Sequence, residues 1–162
     1  MKFTCSVEIN APIAKVVELF DSVENLKKWQ TGLVSYDHLS GKQGEPGAKS
    51  KIVIETGKHR IELIETILVR NLPHEVTGLY EHEHMVNTMS NRFTPIGENA
   101  TRYDAEIDYT KFIGFIPKMM ALLMPGMFRK QVQKTLDRFK VFVETSLLGG
   151  SSTLDQSLQV GS

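Results

Sequence analysis

Residues 125–147, PGMFRKQVQKTLDRFKVFVETSL, decide the fold, because everything before them reads as short elements in need of one long apolar surface. Within this run Phe128, Val132, Leu136 (with Thr135), Phe139 and Val143 recur at steps of three and four, which places them on one face of a helix. Arg129, Lys130, Gln133, Lys134, Asp137, Arg138 and Lys140 fall mostly on the other side. Pro125 and Gly126 mark the start, and Gly149 and Gly150 predict the stop. Roughly twenty residues rising about 1.5 Å each give a rod of about 30 Å, long enough to cross a domain. A straight rod cannot touch a curved sheet everywhere, and the space left beneath it is the expected seat of function.

The upstream punctuation predicts that sheet. From Lys2 to Ile9 the alternation places Phe3, Cys5, Val7 and Ile9 on one face, the signature of a half-buried strand. Asn10 is then a candidate helix cap and Pro12 suits a first helical position. Ile13, Val16, Val17 and Phe20 carry the helix inward. Asp21 or Ser22 caps a second short helix through Trp29, with Gly32 ending it. Strands follow over Leu33–Leu39, Ala48–Thr56, His59–Arg70, Glu75–His84, Met85–Thr94 and Thr101–Thr110, separated by glycine- and proline-rich turns. In the third of these Ile61, Leu63, Ile67 and Val69 are in phase, and Glu62 and Glu65 face oppositely, which argues against a paired acid and base there. The expected organisation is an α+β domain over residues 1–148, with 149–162 a flexible tail.

Composition narrows the function. The chain of 162 residues suits one core that buries about 70% of the unfolded surface. Nineteen basic and nineteen acidic residues cancel, so bulk electrostatics favours neither nucleic acid nor an anionic surface. The single cysteine, Cys5, rules out an internal disulfide framework and a multi-cysteine zinc site. No signal peptide is read at Met1–Thr4, and the apolar run 112–124 is too short for a membrane span, so a cytoplasmic protein without stable membrane insertion is expected.

The order strand, two helices, six strands, long helix resembles the helix-grip proteins. This is the SRPBCC superfamily of START-like lipid-transfer domains, birch-pollen-type allergens and polyketide cyclase/dehydrase-like proteins. The resemblance rests on Ile9-Asn10-Ala11-Pro12 entering the first helix, the Phe20–Trp29 segment, the hairpin ending at Gly47, the Gly97–Tyr109 strand and the closing helix through Phe142. It implies a curved antiparallel sheet of about seven strands wrapped around the C-terminal helix, with a hydrophobic cavity between them. It is most similar to the polyketide cyclase-like branch.

Candidate chemistry is sparse. Met119, Met120, Met124 and Met127 sit with Phe112, Phe115, Ile116, Leu122 and Leu123 just before the long helix. Methionine repacks around different guests, so this segment reads as core filling, as a surface anchor for a partner, as a pocket lid or entrance, or as an apolar wedge flanked by Lys111 and Lys118 that touches a membrane. In Tyr80-Glu81-His82-Glu83-His84, period two sends Tyr80, His82 and His84 to one face. They are the candidates for acid and base work, while the ordinary reading is solvated histidines. His59 is the one candidate for a third metal ligand, and no metal or other cofactor is assigned. Asn87, Met89, Asn91 and Phe93 share a face opposite Arg92, and parity does not say which points inward. Tyr36, Tyr103 and Tyr109 offer phenols to a cavity. Cys5 and Trp29 read as packing.

The expected ligand-binding set is therefore Tyr80, His82, Met89, Asn91, Phe93, Tyr103, Phe115, Met119, Met120, Leu123, Met124, Phe128 and Val132. The function expected is binding or transport of a hydrophobic or amphipathic small molecule, lipid- or polyketide-like, and this is preferred to catalysis. A cyclase/dehydratase-like enzyme and a protein-interaction module are the rival readings, and a weak homodimer stays open as a possible partner state.

Overall fold

A computed structural model describes residues 1–155, without the side chains of residues 121 and 150–155. The strands are β1 (Lys2–Ile9), β2 (Leu33–Ser40), β3 (Lys49–Thr56), β4 (His59–Asn71), β5 (Glu75–His82), β6 (Met85–Gly97) and β7 (Ala100–Phe112). The helices are α1 (Ile13–Phe20), α2 (Val23–Trp29), α3 (Phe115–Leu123) and α4 (Pro125–Asp155). All seven strands form one antiparallel sheet in the order β1-β7-β6-β5-β4-β3-β2. Five register shifts, among them those at Ile67/Val69 and Val86/Asn87, mark bulges that bend the long strands into a trough.

The expected face of α4 is the buried one. Leu136, Phe139 and Val143 are at most 1% exposed and pack with Cys5, Ile9, Tyr103 and Trp29. Each such side chain contributes about 1.5–3 kcal/mol by leaving water. β1 pairs only with β7, so its outer edge would be open, and α4 covers it. Gln133 Nε2 donates to the Ser6 carbonyl at 3.1 Å, Lys140 Nζ to the Glu8 carbonyl at 2.6 Å, and the Asn10 N–H to Glu144 Oε1 at 2.8 Å.

Three local expectations are corrected. Asn10 does not cap α1; the helix enters from extended Pro12 without a side-chain cap, and Asn10 spends its N–H on Glu144. Gly149 and Gly150 do not stop α4, which runs on to Asp155. A glycine weakens a helix by about 1 kcal/mol but terminates it only through positive φ, which Gly149 does not adopt. Of the expected tail, residues 156–162 lie outside the described residues. Lastly, β5 ends at His82, so Glu83 and His84 form the turn to β6 and His84 does not share a strand face with Tyr80.

The α1–α2 corner is set by Ser22, whose Oγ accepts the Asn25 N–H at 3.2 Å and caps α2. Gly32 then ties the corner to the sheet. Its φ is +80°, a Cβ there would stand 2.1 Å from the Glu55 carbonyl oxygen, and its own carbonyl accepts the Glu55 N–H at 2.8 Å. No other residue type fits that approach.

Candidate functional site

The concave face of the sheet and the α1–α2 corner enclose a pocket of about 450 Å³. One wall comes from Phe20, Leu26 and Trp29, and the floor from residues of six strands, β2 to β7, including Ile52, Leu63, Ile67, Met89 and Tyr103. The closing element is not the one expected. Among its described side chains α4 contributes only Thr135 to the lining, because its apolar face is consumed against β1 and the aromatic cluster of Phe20, Trp29, Tyr103 and Phe139, whose ring centroids lie 4.9–6.0 Å apart. A larger but shallower groove of about 670 Å³ runs between α2 and α4 past Lys28, Arg138 and Phe142. It lies open on the outer surface, whereas the inner pocket is more enclosed and mainly apolar, so the inner pocket is the better site.

A polar seam crosses that apolar floor. The strand register places Ser50 of β3 opposite Glu65 of β4, Glu65 opposite Tyr80 of β5, and Tyr80 opposite Asn87 of β6, and all four line the pocket. Beside it lies an apolar row of Ile67, Gly78, Met89 and Ile107. Glu65 is the centre of the seam. Tyr80 Oη donates to its Oε1 at 2.7 Å, and Tyr36 Oη, reaching over from β2, donates to its Oε2. Burial, reinforced by the charge of Glu65, pushes both phenols above the ordinary tyrosine range, so they stay protonated donors. Deeper in the pocket Tyr103 Oη donates to Asn91 Oδ1 at 2.7 Å, and burial raises that phenol as well.

Gly78 makes room for this arrangement. It stands two residues before Tyr80 on the same face, and a Cβ at Gly78 would lie 3.0 Å from the Tyr80 ring and hydroxyl. Tyr80 therefore folds back over the bare backbone of Gly78 to meet Glu65. At the rim, the bulge at Ile67/Val69 breaks the period of β4, so Arg70 and not Val69 faces the pocket, while Val69 is 40% exposed. Arg70 forks onto Asp21, with Nη1 to Oδ1 at 2.8 Å and Nη2 to Oδ2, and clamps β4 to the α1–α2 corner.

The sequence-expected residues divide into three groups. Tyr80, Met89, Asn91 and Tyr103 line the pocket. Phe93 lies under it, 2% exposed and stacked on Tyr103 with centroids 4.8 Å apart, and Val132 packs against the same core. Phe128 packs on Tyr109 at 5.2 Å, away from the lining. The remainder stand outside: Phe115, Met119, Met120, Leu123 and Met124 are 37–77% exposed on and just after α3, which turns its apolar side outward. His82 and His84 also lie off the lining, with ring centroids 5.4 Å apart at the β5–β6 turn. The His84 N–H donates to His82 Nδ1 at 3.2 Å, and desolvation lowers the His82 pKa, which favours the neutral ring. Among the described residues no group of three or more His, Cys, Asp or Glu converges as metal ligands. Arg92 faces outward toward Glu75 and Glu106, so Asn91 is the inward residue of that strand.

Glu65 is not among the residues expected at the site, although Tyr36 is expected to offer its phenol to a cavity. The signal was present: Glu65 shares the phase of Leu63 and Ile67, a carboxylate in an apolar row. Comparing Glu65 only with Glu62 misses it, since Glu62 faces the outer side and pairs there with Lys51 at 2.7 Å and Arg60 at 3.0 Å.

Comparisons with known proteins agree with this architecture. The family model described as polyketide cyclase / dehydrase and lipid transport matches residues 1–144. A protein from Thermus thermophilus has a similar structure, with a TM-score of 0.72 at 18% identity over 90% of this chain and 99% of the other. A conserved protein from Geobacillus kaustophilus gives a TM-score of 0.74 at 15% identity over 90% and 97%. Norcoclaurine synthase from Thalictrum flavum, solved with dopamine and hydroxybenzaldehyde, gives 0.65 at 12% identity over 88% and 86%. At these identities the likeness is one of fold. No curated protein matches the sequence.

Proposed function

The chain belongs to the polyketide cyclase / dehydrase and lipid transport family, and from that premise we propose that it binds an amphipathic small molecule in the pocket between the sheet and the α1–α2 corner. The observation that carries this reading is the seam. An apolar trough of about 450 Å³ suits a small organic body, and the Tyr36–Glu65–Tyr80 group gives it one polar end. Both phenolic hydrogens are already committed to the carboxylate, so what that end presents to a guest is oxygen lone pairs. A ligand with hydroxyl or amine donors on one side and an apolar or aromatic remainder fits this pattern. Burial of its apolar surface contributes about 25 cal/mol per Å² before ordering costs.

The same geometry favours a second reading, proton-transfer catalysis on such a molecule. A carboxylate that lines the pocket can accept a proton from the guest, and once it is neutral the two phenolic hydrogens it held are free to turn toward an oxyanion that develops beside it. Carrier and enzyme diverge under one substitution. Native mass spectrometry of the protein purified from its own host, with identification of the co-purified molecule, tests occupancy; that molecule is then offered to the wild type and to Glu65→Gln. A carrier loses affinity by about tenfold and turns nothing over. An enzyme turns it over and loses rate by about a hundredfold or more with affinity nearly kept. A wild type that holds no guest, and whose amphipathic fluorophore binding is unaffected by Ile52→Trp in the floor, would remove both readings.

A further inference from the structure

We infer that α3 and the basic segments flanking it form a docking face for an anionic lipid surface, with α3 lying flat in the headgroup plane. The first observation is an inverted amphipathic helix. At 100° per residue, positions 115, 116, 119, 120, 122 and 123 cover one continuous face of α3. That face is turned to water: Phe115 is 77% exposed, Ile116 66%, Leu122 80% and Leu123 68%. None of these residues lines the pocket.

The second observation is charge. Residues 109–136 carry Lys111, Lys118, Arg129, Lys130 and Lys134 and not one Asp or Glu, in a chain whose 19 basic and 19 acidic residues cancel as a whole. Among the described residues none of these five cations makes an ion pair; Lys27, Lys28, Lys49, Lys58 and Arg138 are also without one, but those stand outside the acid-free run, each with an Asp or Glu within four residues in sequence, and the other nine cations are paired. The adjoining β5–β6 turn, bonded to this segment through the Ile113 N–H and the His84 carbonyl at 2.8 Å, carries one acidic residue, Glu83, whose Oε1 lies 3.2 Å from His84 Nε2 and is neutralised only when that ring is protonated. The sequence therefore concentrates unneutralised positive charge around its most exposed apolar helix.

An anionic bilayer satisfies both features together. Lysine and arginine stems bury along the apolar boundary while their heads meet lipid phosphates, and the apolar face enters the acyl boundary. Nine residues give a helix of about 14 Å, too short to cross about 30 Å of hydrocarbon. Among the described residues no helix is long and apolar enough to do so. A second copy of the chain fits less well. A two-fold contact through α3 would set this cationic belt against itself, and like charges across an interface disfavour it.

The test is flotation with vesicles of phosphatidylcholine alone and of phosphatidylcholine with about one third phosphatidylserine. The expected result is binding about tenfold or more tighter to the anionic vesicles, weakened several-fold as salt rises toward about 0.5 M. Phe115→Ser with Leu122→Ser, both at exposed positions, reduces that binding about tenfold with the far-ultraviolet circular dichroism unchanged. Lys118→Glu with Lys130→Glu removes the preference for anionic lipid. Glu65→Gln leaves vesicle binding intact, so the outcome is independent of the pocket's ligand. Absence of binding to either vesicle at millimolar lipid would overturn the inference. So would concentration-dependent self-association, by analytical ultracentrifugation, that the Phe115/Leu122 variant abolishes, since it would assign the face to a second copy.

Discussion

Raising the pH is the perturbation that reads the pocket most directly, because all four tyrosines of the chain have phenols pushed above their ordinary range. Burial is the first cause in each case, and for Tyr36 and Tyr80 the charge of Glu65 is the second. A raised phenol pKa means that the folded state holds its proton more tightly than the unfolded chain. Stability from this source is thus complete below about pH 9, falls as pH rises through about 10 where unfolded tyrosine ionises, and keeps falling until the folded phenols titrate. At about pH 11 an unfolded tyrosine is roughly nine-tenths ionised, and each phenol that stays protonated in the fold forfeits about 1.4 kcal/mol. Tyr103, 2% exposed, loses that amount in full. Tyr80 approaches it, and the partly exposed Tyr36 and Tyr109 lose less. A loss approaching about 3 kcal/mol from the two deepest phenols is a large share of an ordinary stability of about 5–15 kcal/mol.

The assay follows phenolate absorbance and far-ultraviolet circular dichroism on the same samples, with urea melts at about pH 8, 10 and 11 to give the stability slope. The expected outcome is little phenolate near pH 10, then ionisation and unfolding in one coincident step. Glu65→Gln removes the charge but keeps an acceptor, so Tyr36 and Tyr80 ionise at lower pH while Tyr103, whose partner is Asn91, does not move. Two or more phenols titrating near their ordinary value in an intact fold would refute the reasoning, since the seam would then be open to bulk water.

Other perturbations separate packing from site chemistry. Gly78→Ala pushes the Tyr80 ring off its seat, costs about 1–3 kcal/mol in a urea melt, and weakens binding of an amphipathic fluorophore more than its stability loss explains. Gly32→Ala, forced to positive φ and against the Glu55 carbonyl, lowers stability by more than about 2 kcal/mol while leaving Tyr36 and Tyr80 titration unchanged as long as the protein folds. Phe139→Ala opens the aromatic cluster under α4 and costs about 3–5 kcal/mol by calorimetry, since that residue is 0% exposed.

The fold was legible because it rests on local signals that repeat. Period two in β1 and the three-and-four spacing of Leu136, Phe139 and Val143 each name a buried face without reference to any other element. Ser22 before Val23 fixes the start of the short helix in the same way, whereas its end comes at Gln30, two residues before the glycine expected to stop it. Where a local signal failed, the helix started elsewhere: α1 begins at Ile13 from extended Pro12, two residues past Asn10, whose backbone N–H instead ties β1 to Glu144 of α4. The apolar segment 115–124 misled for another reason. Apolar composition predicts burial only when the fold has room to receive it, and here the core is already closed by Phe128 on Tyr109 and Phe112, which leaves α3 outside.

The seam was hidden by a different physics. Ser50, Glu65, Tyr80 and Asn87 are separated by fifteen, fifteen and seven positions and become one row only through the pairing of four strands. That pairing depends on where each hairpin turns and on where the ladder is offset, and a slip of one residue moves every side chain to the other face. The turn after His82 and the bulge at Ile67/Val69 are both weakly marked in sequence. A turn placed two residues late lengthens β5 to His84 and puts a histidine pair on a strand that ends at His82. The same register argument runs forward: a carboxylate in the apolar phase of β4 needs donors from its lateral neighbours, and Tyr80 opposite it and Tyr36 two strands away supply them. An acceptor-rich end in an otherwise apolar trough follows from that requirement, and with it the donor-bearing, amphipathic guest that the pocket is proposed to hold.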